Sequence, residues 1–160
     1  MLTIQVVCVG KLKERAWREA CQEYAKRLSG SARVQIIEVA QAHLPDKPSQ
    51  AQIDAALLQE GKSILEKVSP GAFLVSLCIE GTMLDSPGLA KKIRDRMAGG
   101  TSTIAFVIGG SFGLSGQVKE RSGLRLSMSR MTFPHQLARV MLLEQVYRVM
   151  NILGNGKYHK

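Results

Sequence analysis

Five short apolar runs, each followed by a stretch of helical periodicity, limit the folds open to this chain. The runs are 2–9 (LTIQVVCV), 34–39 (VQIIEV), 72–79 (AFLVSLCI), 103–108 (TIAFVI) and 124–128 (LRLSM). They are rich in β-branched residues, and most are continuously apolar rather than alternating. Strands of that kind are buried on both faces, as in a parallel sheet. The stretches between them read differently. Glu14 to Leu28 places Trp17, Ala20, Cys21, Tyr24, Ala25 and Leu28 on one helical stripe. Ser49 to Val68 and Pro134 to Leu153 are longer helices, and Gln117–Arg121 is a short one. Ser86 caps a helix that has Pro87 at its first position and runs to about Met97 before Gly99-Gly100. Strictly alternating strands and helices predict an α/β fold: a mostly parallel sheet with helices on both faces. The 160 residues contain no repeat and no linker, so one domain spanning 1–160 is expected.

Composition narrows the function. No apolar run approaches the roughly 18 residues of a membrane span. The N-terminus has no basic segment ahead of its apolar stretch, so a soluble cytoplasmic protein without a membrane partner is expected. Cys8, Cys21 and Cys78 have no metal-type spacing, and His43, His135 and His159 lie far apart. No metal is expected. The net charge is +9, and residues 121–160 hold seven Lys and Arg against Glu144 alone. Such an excess favours a polyanion such as RNA.

Three stretches carry possible chemistry. Ile108–Gly116 (IGGSFGLSG) follows a strand and precedes a helix, where α/β proteins bind ligands and where backbone must approach closely. It lacks the dinucleotide spacing, and a tight turn serving topology alone explains it equally well. Glu60-Gly61-Lys62-Ser63 only superficially echoes a phosphate loop, because it lies inside a helix. The last helix is apolar on nearly every side. It is therefore either an interface helix of a homodimer or a central helix of its own domain. Beyond it, Tyr158, His159 and Lys160 offer a phenol, an imidazole and an ammonium, on a terminus that is either a site or a frayed end.

Taken together, several blocks resemble one family. They are VGKLKE at 9–14, IEG at 79–81, FVIGGSFGLS at 106–115, LSMSRMTFPHQLARVMLLEQVYR at 126–148 and the terminal KYHK. This set is similar to the bacterial pseudouridine N3-methyltransferases of large-subunit ribosomal RNA, of the SPOUT class. The resemblance covers the whole chain. It implies a sheet whose C-terminal segment is threaded into a trefoil knot, a homodimer, and S-adenosylmethionine (SAM) as methyl donor. It places the cofactor on Leu77, Gly109, Met128, Ser129, Arg130, Met131, Thr132 and Phe133. The implied reaction is methylation of N3 of a pseudouridine in 23S rRNA of the assembled ribosome.

The reaction has physical demands that the residues meet. A methyl group must be held in line with its acceptor, so positioning carries much of the rate. The N3 proton must leave, which suits a group titrating near neutrality. His159 is the first candidate for base or orienter, with Tyr158 beside it to stack on or hydrogen-bond the base. Arg139, Arg148, Lys157 and Lys160 are the candidates for rRNA phosphates.

Overall fold

A computed structural model of the chain describes residues 1–154 and Gly156. The elements alternate throughout: β1 (Leu2–Val9), α1 (Arg15–Leu28), β2 (Ala32–Val39), α2 (Gln50–Lys67), β3 (Phe73–Met83), α3 (Ser86–Ala98), β4 (Thr103–Ile108), α4 (Gly116–Arg121), β5 (Leu124–Ser127) and α5 (His135–Leu153). The strands form one sheet in the order β2-β1-β4-β3-β5. Every pairing in it is parallel. No helix among the described residues is long and apolar enough to cross a membrane.

The strand period of two sorts the side chains into two cores. On one face Ile4, Val6, Cys8, Ile104 and Phe106 meet residues of α1, α3 and α5, including Leu28, Ile93 and Val146. On the other Val7, Val9, Ala105 and Val107 meet Ile64 of α2 and Val118 of α4. This is why β4 from Ile104 and β1 from Val6 read as continuous apolar runs: alternate residues fill opposite layers. Helix starts follow local capping chemistry. Ser49 and Gln52 form a reciprocal capping box on α2. Asp85, rather than Ser86, caps α3; its carboxylate accepts from the Gly88 amide at 2.7 Å, with Pro87 in the first turn. The Glu60–Ser63 stretch lies within α2. A Cβ on Gly61 would sit 2.3 Å from the Ser115 hydroxyl that caps α4, so this glycine lets two helices approach.

Two features depart from the simple strand and helix pattern. The third apolar run extends beyond Ile79 to Met83, with an interruption. Leu77 and Thr82 both lie opposite Leu126, so Cys78–Gly81 is looped out of the ladder. Gly81 brings the returning chain against β5, where a Cβ would be 2.5 Å from the Arg125 carbonyl. The second feature is α5. None of its residues is exposed. It packs against α1 and α3, with Leu142, Leu143, Val146 and Val149 fully buried, and Tyr147 meets Tyr24 at 6.2 Å between ring centroids. Its all-round apolar character is thus largely used up within one chain, and a second subunit is not required to explain it.

Candidate functional site

Parallel strands direct all their C-terminal ends to one edge of the sheet. There the chain leaves β3 towards α3 on one face and β4 towards α4 on the other. Such a divergence opens a crevice between neighbouring strand ends. A cavity of about 910 Å³ occupies this edge. Its walls come from the looped-out segment of β3, the glycine loop after β4, and the β5–α5 connection with the first turns of α5.

The glycine loop folds back on itself. Gly110 and Gly113 form a bridge, the Gly113 amide donates to the Gly110 carbonyl at 3.1 Å, and Gly113 has a φ of 85°. A Cβ on Gly109 would lie 2.3 Å from the Gly113 carbonyl oxygen. Gly109 is therefore required by the loop's own fold, ahead of any ligand. The loop reverses sharply enough to hold Phe112 out at its tip, about half exposed.

The β5–α5 connection is ordered by short polar contacts. The Ser127 hydroxyl donates to the Ser129 carbonyl at 3.0 Å, and the Ser129 hydroxyl accepts from the Met131 amide at 3.0 Å. Pro134 precedes α5 and offers no side-chain cap, and the first turn holds no acidic residue. Among the described residues, the amides of His135, Gln136 and Leu137 have no acceptor, while that of Ala138 reaches the Pro134 carbonyl. The positive end of this helix stands at the cavity wall, a suitable place for the anionic end of a ligand. His135 lines the cavity, and burial, helped by the charge of Arg139, pushes its imidazole below the usual range. On the looped-out segment, Glu80 pairs with Lys119 at 2.5 Å, and that bond holds its carboxyl below the usual range.

The structure brings Leu77, Gly109, Met128, Ser129, Met131, Thr132 and Phe133 onto this one cavity. These residues lie up to 56 positions apart and come from three strand ends. Arg130 is exposed and is not on the cavity wall. Arg139, expected on an rRNA phosphate, is only 2% exposed. Its guanidinium donates to Glu38 at 2.8 Å and to the Gly10 carbonyl at 3.3 Å, so it joins three elements and does not face a partner. The second turn of α5 carries it inward, towards the end of β2 and the turn after β1. Arg148 pairs with Glu144 one turn away at 2.7 Å. Lys157, Tyr158, His159 and Lys160, expected at the substrate, lie outside the described residues.

The sequence does not single out four residues of the wall: the paired Glu80 and Lys119, Phe112 and His135. His135 sits inside the TFPHQ block, and its place in the first turn of a buried helix was a usable signal. The Glu80–Lys119 pair is 39 positions apart and had none.

The cavity suits a nucleoside-containing donor. Its volume lies within the roughly 300–1,000 Å³ typical of small-ligand sites. Leu77, Leu126 and Met128 give an apolar wall, and the open amides of α5 give a polar end.

A family model described as "Predicted SPOUT methyltransferase" matches residues 2–159. Among solved structures, the chain is similar to a probable methylase family protein from Haemophilus influenzae Rd KW20. The TM-score is 0.56 at 14% identity, covering 98% of this chain and 70% of that one. At that identity the likeness is one of fold.

Proposed function

We propose that this chain, which belongs to the SPOUT methyltransferase family, methylates N3 of a pseudouridine in 23S rRNA within the assembled ribosome. The observation that carries this reading is the cavity. Seven of the eight residues assigned to SAM from sequence blocks meet there, though they arrive from separate strands. SAM, when bound, supplies an electrophilic methyl group on a sulfonium. Leu77 and Met128 would hold its apolar parts, the Gly109–Gly113 loop would follow its outline, and the first amides of α5 would bind its anionic end.

The remaining roles follow from charge and position. His159 takes or orients the N3 proton, and Tyr158 holds the base edge. Arg148, Lys157 and Lys160 meet rRNA phosphates, together with exposed Arg130 at the outer side of the cofactor loop. The C-terminal segment is threaded as a trefoil knot. The working unit is a cytoplasmic homodimer. Support for the dimer comes from Ile79, Phe112 and Met131, large apolar side chains exposed around the cavity mouth.

Two measurements test the reading. Calorimetry should give a SAM complex that Leu77→Asp abolishes. Mass mapping of rRNA from a strain lacking the protein should show one methylated pseudouridine lost. An unchanged modification map would overturn the substrate, and absence of SAM binding would overturn the cavity assignment.

A further inference from the structure

The VGKLKE block has no role in the reading above. We propose that its two lysines, Lys11 and Lys13, form a fixed phosphate-binding contact for RNA beside the cavity. The inference rests on RNA being the substrate and adds where its backbone lies.

The geometry starts at the end of β1. Gly10 turns the chain with a φ of 88°, a left-handed conformation that favours glycine. Its amide donates to the Val39 carbonyl at 2.9 Å, and its carbonyl accepts from Arg139. Two residues on, Leu12 is buried, and its amide donates to Glu38 at 3.1 Å. Gly10 and Leu12 are therefore both pinned, and the intervening and following side chains, Lys11 and Lys13, are exposed. Neither lysine makes an ion pair or side-chain hydrogen bond among the described residues. Glu38 is near enough to Lys11 to feel its charge, but its bonds go to Arg139 and the Leu12 amide. Downstream, Arg15 is matched with Glu19, and Glu14 is exposed.

Cys8 of β1 lies opposite Ile108 of β4. Gly10 and Gly110 therefore leave neighbouring strands at the same level, and a Cβ on Gly110 would be 3.4 Å from Val9. Gly110 belongs to the cavity wall. Two solvated ammonium groups thus stand one strand away from the site, on backbone that needs little further ordering. Lysine binds phosphate as a point charge without demanding one orientation, and phosphate contacts set the register of a nucleic acid while another site reads the base. An RNA whose target base meets the donor at the cavity mouth would run its backbone past this loop, one strand away.

The test uses full-length protein and purified 70S ribosomes, with binding followed by co-sedimentation over a range of salt. A Lys11→Gln/Lys13→Gln variant should bind about tenfold more weakly at low salt. Its slope of log affinity against log salt should be shallower by roughly 1.5, the value for two lost phosphate contacts. Its SAM affinity should match wild type, and Lys11→Arg/Lys13→Arg should bind ribosomes normally. Wild-type slope and affinity in the glutamine variant would overturn the proposal while leaving the methyltransferase reading intact. Loss of SAM affinity would also overturn it, by assigning the lysines to the cofactor. If wild-type protein bound ribosomes without salt dependence, the substrate reading and this inference would fall together.

Discussion

Arg139 and Glu38 are 101 positions apart, and their side chains meet at 2.8 Å. The arginine is buried and the carboxylate is about one third open to water. The same carboxylate accepts from the Leu12 amide, and the same guanidinium donates to the Gly10 carbonyl. One pair therefore ties the end of β2, the loop after β1 and the second turn of α5. Burial raises the Glu38 pKa, but the hydrogen bonds from Arg139 and Leu12 outweigh it, and its carboxyl lies below the usual range.

Removing either partner has a calculable direction. Glu38→Gln leaves the Arg139 charge buried with less compensation. It should cost roughly 2–3 kcal/mol, short of the loss for a fully enclosed pair because Glu38 is partly solvated. A depressed carboxyl pKa contributes stability above the unfolded value of about 4.3, and that contribution is lost as pH falls through the folded value. Urea unfolding should therefore show wild type losing its advantage over Glu38→Gln below about pH 4.5. A constant difference between the two at every pH would contradict the pairing.

His135 acts in a different window. Its folded pKa is lowered by burial and by Arg139, so the unfolded chain binds its proton more readily. Stability from this site is complete above the unfolded value of about 6.5 and declines as pH falls below it. His135→Gln should remove the part of the decline between pH 7.5 and 5.5 that wild type shows in urea titrations. Superimposable pH profiles for the two proteins would refute this.

Gly109→Ala should reshape the cavity from within. The new methyl group would meet the Gly113 carbonyl at 2.3 Å, and the loop must move. Overpacking of this kind costs roughly 1–3 kcal/mol. SAM affinity measured by calorimetry should fall at least about tenfold, the equivalent of about 1.4 kcal/mol. Gly116→Ala is the matched control, because a Cβ there meets nothing within 4 Å. Equal SAM affinity in the two variants would mean that the loop does not shape the donor site.

His159→Ala should separate chemistry from cofactor binding. SAM affinity should be retained, while single-turnover methylation of ribosomes falls roughly 100- to 10,000-fold, the range for a lost acid–base group. Turnover at the wild-type rate would remove the tail from the mechanism.

The secondary structure was legible to within a few residues because it rests on local physics. β1, β3 and β4 send alternate apolar side chains into two separate cores, a pattern that a helix packed on one face does not need. Gly10 and Pro87 stand at an element boundary and inside a helix's first turn because their backbone conformations suit those places. The residues assigned to a cofactor were legible only as family blocks. Nothing in the spacing of Leu77, Gly109 and Phe133 places them together; the β2-β1-β4-β3-β5 order does. The sequence suggests that Gly109 leaves room for a ligand; in the fold it leaves room for the Gly113 carbonyl.

Arg139 marks the boundary most clearly. As a residue type in a basic segment, it suited phosphate as well as Arg148 or Lys157. Composition and periodicity settled the α/β class, the helix and strand spans and the positive charge, because those depend on neighbours within a few residues. Which cation is buried and which strand ends enclose the cavity depend on contacts between residues as far as 129 positions apart. Only the packed chain decides those contacts, because burial removes water as a partner and a buried charge must then be matched from within the protein.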